Sequence, residues 1–455
     1  MGSGHILVYA FDVLMQIYES QGYTQRDAAA AIIENNLYGL DIDDRAYQLA
    51  YFAVMMKARK YDRRFFTRGI TPNLYSIEES NTVKRQHLKY FGARLSELEH
   101  NNALNQMNYL LDTFKDAKEY GSILKVNDYS WELLRQFASG IKQEGQISFD
   151  DTGIEETKER LQCLIDIGQA MARKYHVVVT NPPYMGSSGM GGILSEYVKA
   201  NYPESKSDLF AVFIERCGQM TEKNGFQAMI TQHAWMFHSS FEKLRLKLLN
   251  TDMVNMTHLG PRAFEEIGGE VVQTTSFVLR QSHIKNHKGV YCRLIEPITQ
   301  QGKEKMYLAG ENRYATAQDN FSKIPGSPIA YWVSEQIVSI FEQCDCVGNI
   351  AEPRQGMATS DNDRFLRIWF EVANNNIGYG FSNAAQAFAS ELRWFPYNKG
   401  GSFRKWFGNN EYVVDWYKDG HEIKKLAANL YKSFTRTIKN IHYYFKKGLT
   451  WSALT

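Results

Sequence analysis

The stretch "VVVTNPPYMG", residues 177–186, sets four β-favouring residues against an asparagine and two consecutive prolines. "HVVVT", 176–180, is short, β-branched and bounded by prolines, which predicts a buried strand. Pro182 and Pro183 cannot donate to a sheet ladder, so the strand must stop at Asn181 and the backbone must leave along an extended path. Asn181 Oδ1 and the Pro182 carbonyl then remain as free acceptors held at one angle, and the Tyr184 ring follows two residues later. Two acceptors converging on an exocyclic amine, beside a ring that can stack on the attached base, suit a flipped adenine. The plainer reading is a proline-ended strand with a capping asparagine.

Outward from this stretch, helical and strand patterns alternate. "HILVYAFDVLMQIYES", 5–20, has helical spacing after a "GSG" turn; 35–43 reads as a short strand ending in acids; 45–61 is a second amphipathic helix. Residues 67–120 read as a helical insertion, and the helical pattern returns at 155–174. After the strand come the helix "DLFAVFIERCGQMTEKNG", the strand "FQAMIT" and the helix "SFEKLRLKLLN". Strands near "MVNMTHLG", "VVQTTSFVLR" and "GVYCRLIE" follow. This order predicts an α/β fold with a mostly parallel sheet covered on both faces, an antiparallel edge made by the last three strands, and closure near residue 300. Residues 301–455 are expected to form a linker and a second domain.

In such sheets ligands bind outside the carboxyl ends of the strands. Two further motifs fall at such ends. Gly2, Ser3 and Gly4 precede a helix, where glycines let backbone N–H groups approach an anionic ligand; alone, the motif is also a plain structural turn. Asp41, ending the next strand, can accept from both hydroxyls of a ribose. If it were only a helix cap, Asp43 or Asp44 would serve better.

Composition removes several classes. Hydrophobic residues make up 44% and charged residues 22%, no apolar run approaches the ~18 residues of a membrane span, and no secretory signal is present. The cytoplasm is the expected location. The five cysteines are scattered, which predicts reduced, mostly buried thiols and neither a disulfide frame nor a zinc site. The net charge is only +2, but residues 391–455 carry twelve Lys or Arg against five Asp or Glu, with fifteen aromatics between them. Lys399, Arg404 and Lys405 in that segment are candidates for phosphate contact; the plainer reading is a solvated charged face.

The order G-x-G, acidic strand end, N-P-P-Y resembles that of the gamma class of N6-adenine DNA methyltransferases. The wording "GSGHILVYAFDVLMQIYES", "NNLYGLDIDDRA", "PNLYSIEESN" and "VVVTNPPYMG" is similar to the PglX-type methyltransferases of BREX phage-defence systems, through the whole chain. The resemblance implies a Rossmann-like methyltransferase domain over 1–300 that uses S-adenosylmethionine, then the start of a target-recognition domain that contacts double-stranded DNA over 301–455. It further implies that Gly2, Ser3, Gly4 and Asp41 hold the cofactor. Asn181, Pro182, Pro183 and Tyr184 would be catalytic, and Phe277 is a candidate wall of the base pocket that strand position equally assigns to the core. The acid that contacts the cofactor's adenine is not assigned; Ser122 and Asp128 are its candidates. The family has a strand ahead of the glycine loop and a long continuation after the last residue. The chain is therefore expected to be an internal fragment that binds the cofactor weakly by itself and works with other defence proteins.

Two other readings stay open: methylation of glutamine amides in proteins, where N-P-P-Y also occurs, and a DNA-binding module whose methyltransferase fold no longer turns over.

Overall fold

A computed structural model describes residues 1–141, 153–264, 272–402 and 404–450. The chain divides into two compact units, Met1–Gln343 and Cys344–Thr455.

In the first unit the helices His5–Ser20 and Asp44–Tyr61 match the expected amphipathic segments. They close on each other and on a small parallel pair, β1 (Tyr38–Asp41) and β2 (Asn73–Ser76). Leu7, Phe11, Met15, Val54 and Leu74 form the core between them. Gly4, at φ 89°, starts the first helix, and a Cβ there would lie 2.9 Å from the Ala50 backbone. The helices can therefore meet only across a glycine. A helical layer follows, in which Met107, Leu110, Phe137, Leu161 and Leu164 are buried. It joins the helix Glu97–Thr113, opened by a Ser96–Glu99 capping box, to the helix Ile154–Ala172.

The larger sheet has six strands: β3 (Tyr175–Thr180), β4 (Thr221–Gln232), β5 (Asp252–Gly260), β6 (Thr274–Arg280), β7 (Lys288–Arg293) and β8 (Arg313–Ala317). They lie in the order β3-β4-β6-β5-β7-β8. The pairs β3–β4 and β5–β7 are parallel; β6 runs antiparallel to both of its neighbours, and β8 antiparallel to β7. Met229, Trp235, Phe277, Tyr291 and Tyr331 fill the core on this sheet.

Four expectations are corrected here. The strand "HVVVT" is not buried: Val177 and Val179 are 55% and 47% exposed. β3 ends the strand order, so among the described residues only its β4 side carries a ladder. Side chains alternate between faces, and Val178 alone of the three valines packs against the sheet's core. The segment 67–120 is not purely helical, because "NLYS" within it forms β2 beside β1. The antiparallel strand β6 is inserted between β4 and β5 rather than placed at an edge. Finally, the sheet does not close near residue 300, since β8 belongs to it and the first unit runs to Gln343.

The second unit is built on β9 (Leu366–Ile368), β10 (Trp394–Tyr397) and β11 (Tyr412–Asp415), in the antiparallel order β10-β11-β9. Phe395, Val414, Trp416, Ile423 and Ala427 form its core with the helical segment after β11. Of the cysteines, Cys217 and Cys292 are buried while Cys163, Cys344 and Cys346 are exposed, so "mostly buried" does not hold. No helix among the described residues is long and apolar enough to cross a membrane.

Candidate active site

The glycine loop and the acid at the end of β1 form one hydrogen-bonded unit. Asp41 Oδ2 accepts from the Gly2 N–H at 2.7 Å and from the Met1 amine at 3.0 Å, and Oδ1 accepts from the Asp43 N–H at 3.1 Å. Burial works against the charge of this carboxylate, but those donors outweigh it and hold the group below its ordinary pKa. A carboxylate offers about four acceptor sites, so Oδ1 keeps one for a further donor. Asp43, not Asp41, caps the helix Asp44–Tyr61, accepting from the Arg45 N–H at 2.8 Å. Asp41 is thus free of the bland capping role.

Gly2 and Gly4 both take left-handed backbone conformations. The helix that Gly4 opens has no side-chain cap, so its first N–H groups are available to a ligand. A Cβ on Gly2 would meet nothing within 4 Å, which leaves the outside of the loop open. Ser3 Oγ lies 2.9 Å from His5 Nδ1. With the Gly2 and Gly4 N–H groups engaged by Asp41 and the Met1 carbonyl, the uncapped first-turn N–H groups and the one acceptor position left on Asp41 fit a ligand that carries both a carboxylate and a hydroxyl, as S-adenosylmethionine does.

Of the two candidates for the third acid, Ser122 lies in the turn Gly121–Ile123. This turn packs against Ile42, with the Gly121 Cβ position 3.3 Å from Ile42 Cδ1. Asp128 instead accepts from Trp131 Nε1 at 2.8 Å and lines a cavity with Tyr38 and Asn73, at the incoming ends of β1 and β2. Ser122 therefore lies on the turn that packs against Ile42, the residue after Asp41, and its carbonyl accepts from Arg216 Nε at 3.3 Å, whereas Asp128 lies at the incoming ends of β1 and β2.

The start of β3 meets that same cavity through Arg173 and Lys174, with Tyr38 and Tyr175 rings 5.3 Å apart. With their starts gathered there, β1 and β3 leave from it, and Asp41 and Asn181 stand at the outgoing ends. That cavity, of about 640 Å³, and another of about 350 Å³ lined by Arg173, Lys174 and Arg216 lie at the incoming ends, and neither is lined by residues 2–4, 41 or 181–184.

Asn181 is exposed, and among the described residues its side-chain amide has no hydrogen-bond partner. Pro182 is buried and Pro183 exposed, which anchors the turn while leaving the asparagine forward. Tyr184 is half-buried, edge-on to Phe210 with ring centroids 6.2 Å apart. Its hydroxyl is buried without a partner among the described residues, and burial pushes its pKa up to about 12. An orphaned hydroxyl beside an unpartnered amide indicates groups arranged for something other than the fold. Phe277 is fully buried against Trp235, at 5.1 Å, so it belongs to the core and not to a pocket wall.

Asp208, not singled out from the sequence, holds this turn from behind. Its Oδ1 accepts from the Met185 and Phe210 N–H groups, each at 3.2 Å, so one carboxylate caps the helix Leu209–Met220 and pins the residue after Tyr184. The signal was the acid opening "DLFAVFIERC".

At the outgoing ends of β4 and β5, His233 Nδ1 and His258 Nε2 are 2.8 Å apart, and the Tyr331 hydroxyl lies 3.3 Å from His258 Nδ1. Burial, with His233, Arg293 and Lys303 nearby, pushes the pKa of His258 down to about 4. The unfolded chain therefore binds a proton at His258 that the folded chain refuses. Stability from this group is complete above pH ~6.5 and is lost as the pH falls towards about 4. Urea midpoints measured across that window are expected to fall with pH in the parent and to fall less steeply in His258→Gln.

Lys399, Arg404 and Lys405 all lie in the second unit, on the loop between β10 and β11, with Lys399 Nζ 4.9 Å from the Tyr412 ring centroid.

Residues 35–264 match the family described as Eco57I restriction-modification methylase. The adenine-specific methyltransferase PglX of Lacticaseibacillus casei (strain Zhang) is 43% identical over 469 aligned residues, covering 100% of this chain and 38% of that protein. The adenine-specific methyltransferase BrxX of Escherichia coli O9:H4 (strain HS) is 38% identical over 477, again covering 100% and 38%. The chain thus spans less than half the length of these relatives. Among solved structures, a nuclease-deletion mutant of the Type ISP restriction-modification enzyme LlaGI in complex with a DNA substrate mimic aligns with a TM-score of 0.44 and 13% identity. That alignment covers 80% of this chain and 27% of that one.

Proposed function

This chain belongs to the Eco57I restriction-modification methylase family, and on that premise we propose that it methylates N6 of an adenine flipped out of double-stranded DNA. The methyl donor is S-adenosylmethionine, and the setting is a BREX-type phage-defence modification system with other defence proteins as partners. The observation that carries the reading is the exposed, unpartnered Asn181 amide at the outgoing end of β3, followed by two prolines and the half-buried Tyr184.

The amine of adenine is a poor nucleophile because its lone pair is delocalised into the ring. Hydrogen bonds from that amine to Asn181 Oδ1 and the Pro182 carbonyl localise the pair on nitrogen, while Tyr184 stacks on the base. The localised pair would then face the electrophilic methyl group that the bound donor would supply, and the surplus N6 proton would pass to water. Positioning and fixed dipoles supply the acceleration. Gly2, Ser3, Gly4 and Asp41 would hold the donor, which contributes an electrophilic methyl group. Lys399, Arg404 and Lys405 would contact DNA phosphates from the second unit.

The basic, aromatic character of residues 391–455 favours DNA over a protein amide as the acceptor. Incubation with methyl-labelled S-adenosylmethionine and either duplex DNA or a glutamine-bearing peptide decides between them. With the methyl donor at saturating concentration, label is expected in DNA as N6-methyladenine; label in the peptide alone overturns the DNA reading, and label in neither overturns methyl transfer.

A further inference from the structure

The described residues of the turn between β10 and β11 form a closed finger. Tyr397 pairs with Tyr412 at its root. Across its neck the Asn409 side-chain N–H donates to the Ser402 carbonyl at 3.2 Å. A Cβ on Gly401 would lie 2.8 Å from Asn409 Oδ1, so the two limbs are in contact there. The strands below are anchored by Phe395, Val413 and Val414, all at most 4% exposed. Above the neck, Arg404, Lys405, Trp406 and Phe407 stand out in sequence.

Trp406 is 89% and Phe407 88% exposed. Neither ring touches the core of its own unit, and the described contact of Trp406 is the Lys405 ammonium, 5.6 Å from its centroid. Two large rings held in water at the tip of a braced hairpin contribute nothing to folding and gain only on covering by something else. A second exposed aromatic pair, Trp369 and Phe370, lies at the root, where the Trp369 N–H donates to the Glu411 carbonyl at 2.9 Å. The loop 398–411 holds three cations and one acid. Cations flanking bare aromatic rings match a polyanion that also offers π-faces, which is nucleic acid.

We propose that this finger is a base-stacking wedge: Trp406 and Phe407 enter a partly unstacked step of duplex DNA while Arg404 and Lys405 neutralise the flanking phosphates. The proposal rests on the DNA reading above and adds the part that grips the duplex.

Trp406 reports on itself. Iodide quenching of the whole chain, with and without a mixed-sequence duplex, gives the Trp406 signal as the difference between the parent and Trp406→Phe. Trp406 is expected to be quenched by stacking and to become shielded from iodide when DNA is saturating. The double variant Trp406→Ala, Phe407→Ala is expected to weaken DNA binding roughly 5- to 150-fold at an unchanged salt slope. By contrast Arg404→Ala, Lys405→Ala should lower the slope of log K against log salt by about 2. All four side chains are exposed, so the variants keep the parent's unfolding midpoint. A Trp406 that stays open to iodide in the saturated complex, or an aromatic double variant that binds DNA as the parent does, overturns the wedge. Binding in this manner without any N6-methyladenine would sink the methyl-transfer reading and leave the finger standing. Methylation with an accessible Trp406 sinks the finger alone.

Discussion

Asn181→Ala is expected to lower N6-methyladenine formation roughly 100- to 1,000-fold, the usual consequence of removing one preorganised hydrogen-bonding group that acts on the reacting centre. The fold should not notice the change. Asn181 is exposed, and among the described residues its amide holds nothing in place, so the urea midpoint should stay within the ±0.5 kcal/mol typical of surface substitutions. Loss of rate without loss of stability separates this residue from a merely structural cap, whose removal costs about 1 kcal/mol of stability and no activity. Asn181→Asp makes the contrast sharper, because a carboxylate keeps an acceptor in the same position. It is expected to retain more activity than Ala at equal stability. A variant that methylates DNA at the parent's rate removes the catalytic assignment, and with it the reason for reading the turn as a site.

What could be read from the sequence divides along physical lines. The helices His5–Ser20, Asp44–Tyr61 and Ile154–Ala172 were legible because each repeats a hydrophobic face over more than four turns. The union of Gly2 with Asp41 was legible as motif order, since a glycine turn before a helix and an acid at a strand end are both local signals. β2 was hidden because four residues, "NLYS", carry too little periodicity to stand out from the loop around them. The position of β6 between β4 and β5 was hidden for another reason: strand order is decided by which edges meet in space, and no local pattern encodes it. The exposure of Val177 and Val179 belongs to the same class, because β-branched residues mark a strand but not what lies beside it. Asp208 had a visible signal as a helix opener, whereas its second bond, to the Met185 N–H, depends on the chain returning from 23 residues away.

Arg245 was beyond sequence reasoning altogether, since an arginine in "EKLRLKLL" reads as the solvent face of a helix. It is only 1% exposed. Its Nη1 donates to the Trp235 carbonyl at 2.9 Å and the His238 carbonyl at 2.7 Å, while Nε and Nη2 reach the Gly326 carbonyl at 3.0 and 2.6 Å. Burial pulls its pKa down, with Glu242 acting in the opposite direction. One guanidinium thus fastens the segment after β4, which carries His233, to the loop at Gly326. Arg245→Ala strips the Trp235 and Gly326 carbonyls of their donor, at roughly 1–3 kcal/mol for each that stays buried, leaves the His238 carbonyl only the Phe241 N–H, and opens a hole where the side chain packed. The expected loss is about 3–5 kcal/mol, read from urea midpoints at constant slope. Arg245→Lys should restore only a minor part, because a point-like ammonium cannot span three carbonyls that a planar fork reaches together. An Arg245→Ala chain that unfolds at the parent's midpoint would mean those four bonds do not form. The segment from His233 to Phe241 would then have to be held by the packing of Trp235, Met236 and Phe241 and by the His233–His258 contact.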